Sequence, residues 1–133
     1  MARILIVEDD PAIRSLLVDT LEEVGHEMLV AADGQTGVAL ARDAHPDLVL
    51  MDLRLPVLDG VTATRILKAE RSTAHIPIIA MSAAARLRAD AADLPADGTL
   101  EKPFDLDVLL GVVGGYLSDA AGTPGSFGSG ARA

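Results

Sequence analysis

Three consecutive acids, Glu8, Asp9 and Asp10, directly follow the first apolar run of the sequence, ILIV at positions 4–7. Two unit charges about 4 Å apart near a protein surface repel each other by roughly 4 kcal/mol at an effective dielectric constant of about 20. An Asp that precedes proline, as Asp10 does, is typical of a helix N-cap, so we assign Asp10 to capping. Glu8 and Asp9 have no such explanation, and their repulsion needs a compensating positive charge.

Three further polar side chains stand at the ends of later apolar runs. Asp52 closes the run LVLMD, Ser82 follows IIAM, and Lys102 follows TLE. If these runs are parallel strands, their carboxyl ends meet at one edge of the sheet, which is where open α/β sheets bind ligands. Glu8 and Asp9 would then share one rim with Asp52, Ser82 and Lys102.

These residue types together are typical of a site that handles a phosphoryl group. Mg²⁺ prefers oxygen ligands and is commonly held by one or two carboxylates plus a phosphate, so a cation beside Glu8, Asp9 and Asp52 would offset their repulsion. Lys102 would supply a positive charge, and Ser82 a hydroxyl donor, to phosphoryl oxygens. A carboxylate can also act as the nucleophile and form an acyl phosphate. Asp52, alone at the end of a central strand, is the best candidate for that nucleophile.

Other acids and the histidines are given structural roles. Asp33, which precedes a glycine, and Asp59, in LDGV, are interpreted as turn or helix-cap residues. The histidines lack the spacing of metal ligands and are interpreted as surface or loop residues: His26, His45 and His75.

Apolar runs alternate with helical patterns along the chain. Strands are predicted at Arg3–Val7, Glu27–Ala31, Asp47–Met51, Ile76–Met81 and Thr99–Glu101. Helices are predicted at Ile13–Val24, with Gly25 as its stop, and at Gly34–Asp43, Val61–Glu70, Ala84–Asp93 and Asp105–Leu117. Strands with little polar alternation are typical of a parallel sheet covered by helices on both faces. We therefore predict an α/β fold, a doubly wound domain with a five-stranded parallel sheet flanked by five helices.

Composition narrows the class of protein. The 133 residues fit one domain, and 50% hydrophobic residues with only 2% aromatic ones predict an aliphatic core. The net charge of -9 argues against a nucleic-acid surface, and the absence of cysteine excludes disulfides, thiolate zinc sites and cysteine nucleophiles. No signal-peptide pattern and no bilayer-spanning apolar run is present, so we expect a cytoplasmic protein without membrane contact. Residues 119–133, rich in Gly and Ser, are predicted to be a flexible tail after a domain of residues 1–118.

Four stretches carry a resemblance to a known family. ILIVEDDPAIRSLL, PDLVLMDLRLPVLDG, IPIIAMSA and LEKPF, in this order, resemble the receiver domain of bacterial two-component response regulators over about residues 2–118. The resemblance implies a flavodoxin-like fold with strand order 2-1-3-4-5. It also implies a signalling domain rather than an enzyme, one that receives a phosphoryl group on Asp52 from a sensor histidine kinase or a histidine phosphotransfer protein and assists its own phosphorylation and dephosphorylation.

The resemblance also implies roles for single residues. The Mg²⁺ ligands would be the side chains of Glu8, Asp9 and Asp52 and the backbone carbonyl of Arg54. Ser82 would be the switch hydroxyl that moves to meet the phosphoryl group, and Lys102, followed by a cis peptide bond to Pro103, would contact it. Arg54 and Ala84 stand at positions that in relatives tune how quickly water removes the phosphoryl group.

Two departures from the family pattern concern how the phosphorylation signal would reach a partner. Relatives usually carry an aromatic residue three positions before the lysine, where this chain has Thr99. That ring reports phosphorylation to the outer face in relatives, so this chain needs another route or a weaker signal through Thr99. The stretch between Ser82 and Lys102 contains Pro95, which predicts a short or irregular fourth helix.

The last predicted helix, DLDVLLGVVGGYL, is apolar nearly all round, whereas a solvent-facing helix normally has a polar face. Its core set is predicted to be Leu109, Val113 and Tyr116. The opposite stripe is predicted to be an interface: Val108, Gly111, Val112 and Gly115. This stripe could mediate a protein contact, including a homodimer, or could belong to a broad core stripe in which glycine is tolerated.

Several hypotheses about the function remain. The leading one is a stand-alone receiver whose output is a downstream protein partner, a phosphorelay step or self-association. The alternative is a pseudo-receiver, a binding module that works without phosphorylation. A phosphatase of the haloacid dehalogenase type is disfavoured because its second Asp, two residues after the nucleophile, is replaced by Arg54. An NTPase is disfavoured because the chain has no GxxxxGK[ST] loop.

Overall fold

Five strands and five helices alternate along the part of the chain that the computed structural model describes, residues 2–120, with the backbone alone for residues 119 and 120. The strands are β1 (Arg3–Val7), β2 (Glu27–Ala31), β3 (Leu48–Asp52), β4 (Ile78–Ala83) and β5 (Gly98–Lys102). The helices are α1 (Pro11–Glu23), α2 (Gly34–Ala44), α3 (Gly60–Ala69), α4 (Ala84–Asp90) and α5 (Leu106–Ala120). Every predicted element is present, and no boundary differs from its prediction by more than three residues.

All strands are parallel and lie in the order β2-β1-β3-β4-β5, as the resemblance implied. The chain leaves β1 toward β2 on one side and later returns to β3 on the other, so the order reverses at β1. A crevice opens at such a reversal, beyond the carboxyl ends of the strands. The register aligns those ends, because Asp52 is the partner of Met81 and Ser82 is the partner of Glu101.

Both faces of the sheet are covered, which accounts for the continuous apolar strands. Successive side chains of a strand point to opposite faces. Ile4 and Ile6 of β1 therefore join the core under α1 and α5, whereas Leu5 and Val7 join the core under α2 and α3. Both cores are aliphatic, as predicted from the composition.

Three helices begin at the aspartates that the sequence assigned to capping. Asp10 accepts hydrogen bonds from the backbone N–H groups of Ala12 and Ile13 at the start of α1. Asp33 and Asp59 accept in the same way from residues 36 and 62, at the starts of α2 and α3. A side-chain acceptor at this position satisfies backbone donors that the helix leaves without partners.

The histidines lie in connecting segments, as predicted. His45 and His75 are exposed. His26 is half-buried, and its Nδ1 accepts a hydrogen bond from the backbone N–H of Ala2 at 3.3 Å. Desolvation by burial, with the positive chain terminus nearby, lowers the pKa of His26.

α4 is short and weakly anchored. It contains 7 residues, none of them buried, and Ala83 at its N-cap makes no side-chain hydrogen bond. The expectation of a short fourth helix is confirmed, but its cause is corrected. The helix ends at Asp90, well before Pro95, so the proline does not terminate it.

α5 places its predicted core residues inward, with Leu109 and Val113 buried and Tyr116 packed against them. On the opposite stripe, Val108 is 52% exposed, and Gly111 and Gly115 face open space. Val112, predicted for the same stripe, is half-buried against the core. Since a helical turn takes 3.6 residues, Val112 lies between the directions of Val108 and Tyr116, at the edge of the predicted stripe.

The helix also reaches Ala120, so residues 119 and 120 of the predicted tail are helical, and residues 121–133 lie outside the described part of the chain. No helix within residues 2–120 combines the length and hydropathy that crossing a bilayer requires.

Candidate functional site

The predicted rim residues meet in an open cleft of about 920 Å³ at the carboxyl edge of the sheet. The cleft is lined by Glu8, Asp9, Asp52, Ser82 and Lys102. Glu8, Asp52 and Ser82 are at most 5% exposed, Lys102 is half-buried and Asp9 is exposed. Asp52 and Lys102 are the last residues of β3 and β5, and Ser82 is the second-last residue of β4. These strands therefore end one or two residues later than predicted.

The backbone around the site is held tightly. The N–H of Glu8 donates to the carbonyl of Ala31 at 3.0 Å, which extends the pairing with β2 past the end of β1. The carbonyl of Glu8 accepts a hydrogen bond from the guanidinium of Arg14 at 2.9 Å. At Gly60, a Cβ would collide with the backbone of Asp52 and Leu53, so only glycine fits there.

The Asp52 carboxylate is oriented by its own loop. The backbone N–H of Arg54 donates to Asp52 Oδ1 at 3.2 Å. The other oxygen, Oδ2, lies 3.4 Å from the Nζ of Lys102. One oxygen is therefore fixed by the backbone while the other faces the ammonium group.

Glu8, Asp9 and Asp52 place carboxylate oxygens within 4.8 Å of one another. Lys102 Nζ lies 2.7 Å from Glu8 Oε1 and so offsets part of this negative charge. Three carboxylates against one ammonium leave the cluster electronegative, and all its side-chain donors are oxygens. The cluster therefore fits a hard divalent cation such as Mg²⁺.

The close packing of charged groups shifts the pKa values of Glu8 and Lys102. Burial, reinforced by the neighbouring Asp52 carboxylate, raises the pKa of Glu8 from 4.5 to about 7, although the hydrogen bond from Lys102 opposes the shift. Burial acts to lower the pKa of Lys102, but the hydrogen bond to Glu8 and the charge of Asp52 prevail and raise it. A cation in the cluster would favour the ionised form of Glu8.

The remaining predicted site residues divide into two groups. Arg54 lines the cleft, and its side chain is exposed. Ala84, the first residue of α4, and Thr99, exposed on β5, are not among the described residues that line it. The Lys102–Pro103 peptide bond is cis, as the resemblance implied.

Sequence reasoning missed part of the cleft wall. Arg65 of α3 and Arg86 of α4 line the cleft together with Asp90. Neither arginine stands at the end of a strand, and their place depends on how α3 and α4 pack, so no strand-end pattern could have indicated them.

A family model, described as the response regulator receiver domain, matches residues 4–113. This chain belongs to the response regulator receiver family. Receivers are the signalling domains of two-component systems, and the strand order described above is that of this family.

Named relatives agree with this assignment. The chain is 40% identical over 119 residues to the transcriptional regulator RpaA of Synechocystis, covering 88% of this chain and 49% of RpaA. It is 34% identical over 120 residues to the response regulator DivK of Brucella ovis, covering 88% of this chain and 97% of DivK. The receiver therefore spans about half the length of RpaA and nearly all of DivK.

A solved structure shows the same fold. The receiver domain of the sensor histidine kinase PA1611 from Pseudomonas aeruginosa matches with a TM-score of 0.83 and 34% identity, covering 88% of this chain and 98% of that one. That receiver has a magnesium ion coordinated in its active-site cleft.

Proposed function

We propose that this receiver accepts a phosphoryl group on Asp52, from a sensor histidine kinase or a histidine phosphotransfer protein, in a Mg²⁺-dependent reaction. The observation that carries the proposal is the position of Asp52. Its carboxylate is buried at the end of the central strand, 3.4 Å from Lys102 Nζ and within 4.8 Å of two further carboxylates. The magnesium ion in the PA1611 receiver supports the metal part of the proposal.

The chain's own residues supply positioning. In-line attack on phosphorus needs aligned reactants and charge stabilisation more than acid–base groups. The Arg54 N–H fixes Oδ1 of Asp52 and leaves Oδ2 as the attacking oxygen. When bound, Mg²⁺ would neutralise charge between the phosphoryl oxygens and the ligands Glu8, Asp9, Asp52 and the Arg54 carbonyl.

Lys102 and Ser82 complete the site on the side of β4 and β5. Lys102 is already within reach of Asp52 and exchanges its contact with Glu8 for one with a phosphoryl oxygen. The Ser82 hydroxyl donates to a second phosphoryl oxygen. The lifetime of the phosphorylated state depends on water access past Arg54 and Ala84. The domain thereby assists its own dephosphorylation, as its positioned groups assist its phosphorylation.

The receiver unit comprises residues 1–118 and the last two residues of α5, Asp119 and Ala120. It works in the cytoplasm, and its output is a downstream protein partner or self-association. The surface proposed for self-association is the outer stripe of α5, where Val108 is exposed and Gly111 and Gly115 leave the backbone open to close approach. Sedimentation analysis with and without phosphorylation tests this. A homodimer is predicted to weaken in Val108→Glu, and a strictly monomeric protein in both states would contradict it.

A second candidate function is that of a pseudo-receiver that binds its partner without phosphorylation. The observation that favours it is Thr99, exposed on β5 where relatives use an aromatic ring. Partner binding that is the same for native protein and Asp52→Asn would support this second function.

The experiment that tests the leading proposal is phosphate incorporation from acetyl phosphate, with Mg²⁺ and with a chelator. Native protein, Asp52→Asn and the control Asp43→Asn, an exposed aspartate on α2, are compared. We expect Mg²⁺-dependent labelling of native protein and of the control and none of Asp52→Asn. Labelling that is indifferent to Asp52 or to Mg²⁺ would contradict the proposal.

A further inference from the structure

Arg14 lies beside the acidic cluster, although it is not among the described residues that line the cleft. It is the fourth residue of α1, and the first turn of this helix contains no acidic residue that would offset its charge. Positive charge near the N-terminus of a helix is unfavourable, because the backbone N–H groups there already carry partial positive charge. The helix itself therefore gives no reason for an arginine at this position, whereas the preceding loop does.

Arg14 holds the backbone of the loop between β1 and α1. Its Nη1 donates to the carbonyl of Glu8 at 2.9 Å, and its backbone N–H donates to the carbonyl of Asp10 at 2.9 Å. Both ends of the acidic stretch are therefore tied to one residue of the helix. Because a peptide bond is planar, holding the carbonyl oxygen of Glu8 also fixes the direction in which the chain continues to Asp9.

The two acids that follow β1 are held in different ways. Glu8 Oε1 lies 2.7 Å from Lys102 Nζ, and Glu8 Oε2 accepts a hydrogen bond from the backbone N–H of Asp10 at 3.2 Å. The Asp9 carboxylate is exposed and makes no hydrogen bond or ion pair with any described residue. One of its oxygens nevertheless lies within 4.8 Å of carboxylate oxygens of Glu8 and Asp52. The position of the Asp9 carboxylate therefore depends on the backbone that carries it.

We infer that Arg14 is a positioning residue for the cation site: by holding the peptide bond between Glu8 and Asp9, it places the Asp9 carboxylate where it binds Mg²⁺ together with Asp52. The inference rests on the proposed function and adds to it a residue outside the cleft lining. Groups that orient metal ligands from behind set metal affinity, because a ligand that is already in place loses less conformational freedom when the metal binds.

The charge of Arg14 and its contact with the backbone have opposite effects on a bound cation. A guanidinium near the cluster repels Mg²⁺, so loss of the charge alone would tighten Mg²⁺ binding, and added salt would reduce this effect. Loss of the contact with the Glu8 carbonyl would instead weaken Mg²⁺ binding, and added salt would change that loss little. If Arg14 acts as a positioning residue, the loss of the contact is the larger effect.

The test is a Mg²⁺ titration of the full chain, followed by the NMR signals of the backbone amides, in native protein, Arg14→Met and the control Arg71→Met. Methionine keeps the apolar stem and suits a helix but cannot donate to the carbonyl. Arg71 is an exposed arginine after the end of α3, at the edge of the sheet opposite the cleft. Loss of an orienting group costs about tenfold in metal affinity, and the relieved repulsion offsets part of this, so we expect the Kd for Mg²⁺ to rise about fivefold in Arg14→Met. In the control it should change less than about twofold.

Two further measurements separate positioning from a general loss of structure. In labelling with acetyl phosphate, the Mg²⁺ concentration that gives the half-maximal rate should rise about fivefold in Arg14→Met, whereas the rate constant at saturating Mg²⁺ should change much less. Asp9→Asn should weaken Mg²⁺ binding by itself. Adding Arg14→Met to Asp9→Asn should cause little further loss, because both substitutions act through the same ligand.

Three results would overturn the inference. Mg²⁺ binding that is unchanged or tighter in Arg14→Met would show that only the charge of the guanidinium matters, and an equal loss in Arg71→Met would show an unspecific effect. A loss in Arg14→Met that adds fully to that of Asp9→Asn would show that Arg14 does not act through Asp9. If native protein binds no Mg²⁺, or if Asp52→Asn binds it equally well, the metal part of the proposed function fails, and this outcome is distinguishable because it does not involve Arg14.

Discussion

The rim that carries Asp52 and the face formed by α4, β5 and α5 share strands but differ in how firmly their residues are held. On the rim, Glu8 and Asp52 are buried and Lys102 contacts both of them. On the face, α4 buries no residue, and α5 presents glycines to open space. Side chains at strand ends are held in place by the hydrogen-bonded sheet, whereas side chains on a weakly packed helix are not.

β5 connects the two regions. Its last residue is Lys102, while Asp97, directly before it begins, is held by several contacts. Asp97 Oδ2 accepts hydrogen bonds from Lys68 Nζ and the backbone N–H of Ile78, both at 2.8 Å. The Tyr116 hydroxyl donates to the Asp97 carbonyl at 2.6 Å, so α5 is anchored to β5 even though its outer stripe is open. A movement of β5 on phosphorylation would reach α5 through this contact, a route that does not need an aromatic ring at Thr99.

Alanine substitutions at two glycines give the largest contrast between the regions. Gly60→Ala adds a Cβ that collides with the backbone of Asp52 and Leu53, so we expect the free energy of unfolding to fall by about 3 kcal/mol or more. Gly111→Ala adds a Cβ in open space within a helix, and we expect a gain of about 1 kcal/mol. Urea denaturation measures both, and similar losses in the two variants would contradict the contrast.

The pH dependence of stability tests the crowding of the rim. The folded pKa of Glu8, about 7, lies above its ordinary value of 4.5, so between these values the folded state binds more protons than the unfolded state. The free energy of unfolding of Mg²⁺-free protein should therefore fall as pH rises through this window. The loss attributable to Glu8 is about 3 kcal/mol.

Two controls accompany that pH series. In Glu8→Gln the slope between pH 4.5 and 7 should largely disappear, because the titrating group is gone. Millimolar Mg²⁺ should flatten the slope in native protein, since the cation binds the ionised carboxylates. An unchanged slope in Glu8→Gln would assign the effect to other groups.

The smallest effect is expected at the anchor of α5. Tyr116→Phe removes the hydroxyl that donates to the Asp97 carbonyl and should lower the free energy of unfolding by about 1 kcal/mol. Tyr116 is the only tyrosine and the chain has no tryptophan, so tyrosine fluorescence of native protein reports on this contact alone. If β5 transmits the signal, phosphorylation should change that fluorescence, and an unchanged signal would exclude this route.

The sequence predicted what strand ends and local spacing determine. Asp52, Ser82 and Lys102 each end an apolar run, and parallel pairing is enough to bring them together. Asp10 was recognisable as a cap because proline follows it, and the structure confirms that role.

Features that depend on packing could not be predicted in the same way. Arg65 and Arg86 reach the cleft only through the placement of α3 and α4. Val112, assigned to the outer stripe, is half-buried against the core, and helical spacing alone places it midway between Val108 and Tyr116. The raised pKa of Glu8 depends on burial that no linear pattern reveals.

Mapping the phosphorylated residue tests most directly whether Asp52 is the phosphoacceptor. Protein treated with acetyl phosphate and Mg²⁺ is reduced with borohydride, which converts an aspartyl phosphate to homoserine, and the site is read by peptide mass spectrometry. We expect homoserine at position 52 alone, and none when Mg²⁺ is withheld. Homoserine at Asp9 or another acid, with Asp52 unmodified, would contradict it.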